Sequence, residues 1–73
     1  MNNLNFIMNR WIEKTLKYLE SDRGRENWKL NVSRGYNDEQ NMFAAVQTSC
    51  HLIVYEKIIA VMDAVKLVRR QVA

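Results

Sequence analysis

Two stretches of the chain repeat their apolar residues at helical spacing, and the stretch between them alternates. In the first, Leu4, Met8, Trp11, Thr15 and Tyr18 recur in steps of four and three, and Ile7, Ile12 and Leu19 widen the stripe. Asn5, Asn9, Glu13, Lys17 and Glu20 fall on the opposite side. A period near 3.6 with one apolar and one polar face predicts a helix over about residues 3–22. Asn2 or Asn3 can cap its start, and Gly24 suits the left-handed residue past its end. Phe6 lies off the stripe, as a second contact face or an exposed aromatic. In the last stretch Val54, Ile58, Val61, Val65, Val68 and Val72 form a two-position heptad seam. Asn37 followed three residues later by Gln40 reads as a capping box, so helix is predicted over about 37–72. Unbroken, that helix would be about 54 Å long. A compact chain of this size has a radius of gyration of roughly 11 Å. A break is therefore expected near Gln47-Thr48-Ser49.

Between the helices, Trp28, Leu30 and Val32 alternate with Lys29, Asn31 and Ser33. A period of two predicts extended backbone. One strand cannot build a sheet alone, so residues 23–36 read as a connector pinned by Trp28, or as an edge that pairs with another chain. The expected architecture is all-α: one domain over residues 1–73, with two to three helices and an extended basic connector.

Length and composition narrow the function. A chain of 73 residues supports one small domain. It buries only about 60% of its unfolded surface, which makes it marginal alone and inclined to lean on a partner. The single cysteine excludes an internal disulfide framework and favours a reducing compartment. The longest stretch without charge, Gln40 to Tyr55, is interrupted by polar residues and is shorter than the roughly 20 apolar residues that cross a bilayer. Arg10 cuts the first apolar cluster too early for a secretory signal. The expectation is a soluble, cytoplasmic protein with no membrane partner.

The residues that carry chemistry are sparse. Cys50 and His51 are neighbours, and adjacent residues on a helix point about 100° apart, too far for a nucleophile and its base. Zinc needs three or four ligands, and the chain has one cysteine and one histidine. Glu56 and Asp63 continue into Lys66 and Arg70 as a solvated face, and Glu13 and Lys17 make an i,i+4 pair. Two glycines cannot form a phosphate cradle. These patterns point to a protein that is not an enzyme and takes no cofactor.

Three features stand above this background. Arg23, Arg25, Lys29 and Arg34 surround Trp28, and such a set can hold phosphates or an acidic protein surface. The net charge of +3 permits either partner and demands neither. Leu52, Ile59 and Leu67 lie roughly opposite the valine seam, which implies contact with a partner or a second copy. Lys66, Arg69 and Arg70 end the chain with positive charge that complements the helix dipole.

A short, cysteine-poor, mildly basic helical chain with an Asn-rich start (Met1-Asn2-Asn3-Leu4-Asn5) and spare apolar surface resembles the small proteins with which bacteriophages seize host machinery. In length and character it is similar to the phage-encoded RNA polymerase-binding proteins that inhibit initiation and suppress termination. The resemblance implies docking on host RNA polymerase near the RNA exit channel, in the bacterial cytoplasm, with nascent RNA close by. On that expectation Arg23, Arg25, Lys29 and Arg34 face RNA or an acidic partner, and Phe6, Trp28, Leu52 and Ile59 face the polymerase. Two alternatives use the same residues differently. In one, residues 28–33 pair with their twin as a two-stranded ribbon, and Lys29, Asn31 and Ser33 enter the DNA major groove. In the other, the Val54–Val72 seam forms a coiled coil.

Overall fold

Ser21 is the only residue between the first two helices of the computed structural model, which describes residues 3–72. The element order is α1 (Asn3–Glu20), α2 (Asp22–Ser33), α3 (Asp38–Cys50) and α4 (Tyr55–Val72). The architecture is all-helical, with no strand among the described residues. It has four helices where two to three were expected, because the expected connector is itself helical.

The helicity of α2 comes from its ends and its inner face. Ser21 is extended at the N-cap and accepts from the Gly24 N–H at 3.0 Å, while Asp22 complements the dipole in the first turn. Gly24, Asn27, Trp28 and Asn31 recur at helical spacing and turn inward. Leu30 and Val32, which suggested alternation, are left on the flanks as exposed apolar residues. The extended connector and the two-stranded DNA-binding ribbon are both overturned by this helix, whose backbone groups are already bonded within it.

The α2 C-terminus closes as a Schellman motif. Tyr36 N–H donates to the Asn31 carbonyl and Gly35 N–H to that of Val32, with Gly35 left-handed at φ 94°. Gly24 has a different role from the helix-ending one expected. It lies inside α2, buried where the helix crosses the end of α1, and a Cβ there would lie 1.8 Å from the Tyr18 carbonyl oxygen. The Ser21 hydroxyl donates to that same carbonyl at 2.6 Å, and Asn27 Nδ2 donates to the Tyr18 hydroxyl at 2.7 Å. The α1–α2 joint is thus tight and bonded on both sides.

The capping box forms as expected: Gln40 N–H donates to Asn37 Oδ1 and Asn37 N–H to Gln40 Oε1, both at 2.8 Å. The break between the last two helices falls after Gln47-Thr48-Ser49, which stay helical. His51 adopts φ 54°, ψ 34° and ends α3, and residues 52–54 lead into α4. Histidine is among the residues that enter the left-handed region more readily than most. The longest dimension is 43 Å and the radius of gyration 12.1 Å, so no 54 Å rod projects.

Helix α3 packs on the other three, and α1 packs on α2 and α4. The buried core joins Met42, Val46 and Cys50 of α3 to Ile58, Val61, Met62 and Val65 of α4. Met8, Trp11, Ile12, Leu16 and Leu19 of α1 pack against it, with Trp28 from α2. The heptad seam is consumed inside the chain: Ile58, Val61 and Val65 are fully buried there, which leaves no continuous stripe for a coiled coil.

Candidate partner-binding surfaces

The Cys50–His51 pair straddles the end of α3, with Cys50 its last residue and His51 left-handed at the C-cap. Cys50 is buried and His51 exposed. The thiol donates to the Trp11 carbonyl at 3.4 Å and lies 3.4 Å from Thr15 Oγ1, which is itself 3.0 Å from Ser49 Oγ. This small polar cluster fastens α1 to the end of α3, and Thr15 is completely buried within it. Thr15→Val keeps the shape and removes the hydroxyl, so a loss of about 1 kcal/mol is expected in urea unfolding. Among the described residues no group of three His, Cys, Asp or Glu side chains could hold a metal ion. No described helix is long and apolar enough to cross a membrane.

The four cations around Trp28 do not form one strip, because a helix distributes them around its circumference. Arg25 and Lys29, four residues apart, share a flank and line a groove of about 220 Å³ with Leu19, Gly24, Trp28 and Arg69. Arg34 lines a different groove, against Tyr18, Asn27, Asn31, Asn41 and Thr48. Arg23 is exposed and lines neither. Arg25 is partly engaged: its guanidinium donates to Asp22 Oδ1 at 2.6 Å and to the Glu20 carbonyl at 2.8 Å, where it caps α1. The C-terminal cations also separate. Lys66 pairs with Glu39 of α3, whereas Arg69 joins the Arg25–Lys29 groove.

The candidate apolar contacts are likewise dispersed. Phe6 falls within α1, but its side chain lies outside the described residues. Trp28 is half-buried against the core, and its carbonyl accepts from the buried Asn41 at 3.3 Å. Leu52 and Ile59 are half-buried and pack on the core.

A contiguous run of exposed apolar side chains among the described residues was not singled out by periodicity, which placed only Val54 of it, in the seam. In the α3–α4 loop Ile53 is 88% exposed, with Val54 at 48% and Tyr55 at 66% beside it. Next to this tip runs a groove of about 500 Å³ lined by Tyr36, Phe43, Tyr55, Ile59 and Met62, with Glu39, Gln40, Ala44 and Gln47 completing it. Phe43 and Tyr55 meet with ring centroids 5.7 Å apart, so the Tyr55 ring is positioned although much of it faces water. A sequence signal existed: Leu52-Ile53-Val54-Tyr55 is four apolar residues in a row, more than one helix face can bury. No protein family, curated protein or solved structure matches the chain.

Proposed function

We propose that this chain is a non-enzymatic helical adaptor that regulates a larger assembly by occupying a surface on it. The observation that carries the reading is the tip of Ile53, Val54 and Tyr55 beside the Phe43–Ile59–Met62 groove. A small protein gains nothing in stability by holding such residues in water, and contiguous exposed apolar surface of this kind marks an interaction site. Aromatic and aliphatic anchors at the centre of an interface supply most of its affinity. The surrounding Glu39, Gln40 and Gln47 suit a polar rim.

The first partner to test is the one the resemblance implies, bacterial RNA polymerase, with inhibition of initiation and suppression of termination as its consequences. The purified chain is mixed with purified polymerase and the complex followed by gel filtration and titration. Complex formation is expected, with Ile53→Asp weakening it at least about thirtyfold, as loss of a binding hot spot does. The variant should keep its helix content and urea midpoint, because Ile53 is almost wholly in solvent. Absence of a complex would retire the polymerase, and undiminished binding by Ile53→Asp would retire the tip.

A further inference from the structure

We infer that the groove between Arg25, Lys29 and Arg69 is a second, separate binding site, for an acidic protein segment that carries one apolar anchor residue. It is independent of the tip and of the polymerase reading. Its lining joins Leu19 and Trp28, half-buried against the core, to the three exposed cations, and no carboxylate lines it. Lys29 and Arg69 have no ion-pair partner among the described residues, and all three cations are exposed. The volume of about 220 Å³ is below the range of roughly 300–1,000 Å³ typical of cofactor and drug-sized ligand sites. It suits a single inserted side chain.

The occupant follows from charge complementarity. An apolar side chain against Leu19 and Trp28 places the residues on either side of it beside the cations. Carboxylates at those positions meet Lys29 and Arg69 directly, and Arg25 through the second face of its guanidinium. A single-stranded nucleic acid fits less well. It needs a cationic track with aromatic faces for successive bases, and this groove offers one indole that is half-buried against the core.

The test titrates the intact chain with a labelled synthetic peptide in which leucines alternate with glutamates, read by fluorescence anisotropy at low ionic strength. The same peptide with glutamines and an oligouridylate are run beside it. Saturable binding of the acidic peptide is expected, at least about tenfold weaker for the glutamine peptide and for the Lys29→Gln/Arg69→Gln double variant. Both substitutions are on exposed side chains, and circular dichroism checks that the fold is retained. Lys57→Gln, an exposed charge on the first turn of α4, should bind as the unmodified chain does. Equal binding of the glutamine peptide, or no binding of the acidic one, overturns the inference. Tighter binding of oligouridylate that the double variant abolishes also overturns it, and assigns the groove to nucleic acid.

Discussion

Gly24→Ala should cost the protein a large part of its stability, reversing the usual sign of that substitution within a helix. Alanine ordinarily favours a helix over glycine by about 1 kcal/mol. At this position its Cβ would lie 1.8 Å from the oxygen and 2.7 Å from the carbon of the Tyr18 carbonyl. Both atoms are backbone, so no rotamer change relieves the overlap, and α1 and α2 must move apart. That movement strains the Ser21 bonds to Tyr18 and Gly24 and the Asn27 bond to the Tyr18 hydroxyl. A loss of about 3 kcal/mol or more is expected. A domain of 73 residues has roughly 4–11 kcal/mol in total, so at the lower end of that range a loss of about 3 kcal/mol leaves only about 1 kcal/mol and a visible unfolded fraction in water. Gly35→Ala is the informative contrast. Nothing stands within 4 Å of its added methyl group, and only the left-handed backbone opposes it, at about 1–2 kcal/mol. Urea unfolding of both variants checks the pair. A Gly24→Ala protein as stable as the parent would mean that the helices do not approach so closely.

The same joint explains where sequence reading succeeded and where it stopped. Helix α1 and the core-facing part of α4 were legible because long apolar stripes record the face that packs. The start of α3 was legible because a capping box is local chemistry between Asn37 and Gln40. Helix α2 was not, because a glycine and two asparagines make up much of its inner face and hydropathy does not register them. What remained visible was the accidental alternation of Trp28, Leu30 and Val32. Ser21 at the N-cap was the available signal, and a helical assignment would have put Arg25 and Lys29 on one flank at once. Their meeting with Arg69 depends on how α4 packs on α1, which no local pattern encodes. The misplaced break has a similar origin. Polarity at Gln47-Thr48-Ser49 suggested an end, but Gln47 and Thr48 are simply exposed while Ser49 bonds to Thr15. The end came instead at His51, where the backbone turns left-handed; Leu52 then packs back on the core and Ile53, Val54 and Tyr55 are left exposed as the apolar tip.

Ile58→Ala tests whether the valine seam belongs to this chain alone. Ile58 is 1% exposed, in the first turn of α4 and within the core formed with α3. Removing three carbons there leaves a cavity that neighbours in helices only fill in part, for an expected loss of about 3 kcal/mol. Leu67→Ala, on the 55% exposed face of the same helix, should change stability by less than about 0.5 kcal/mol. Because Ile58 also anchors α4 one turn after the loop, its loss should weaken tip-dependent binding without altering any tip residue. Unfolding midpoints measured across a wide range of protein concentration distinguish the two uses of the seam. An internal seam gives midpoints independent of concentration in parent and variant alike. A coiled coil couples folding to assembly, so midpoints that rise with concentration would return the seam to a contact between copies.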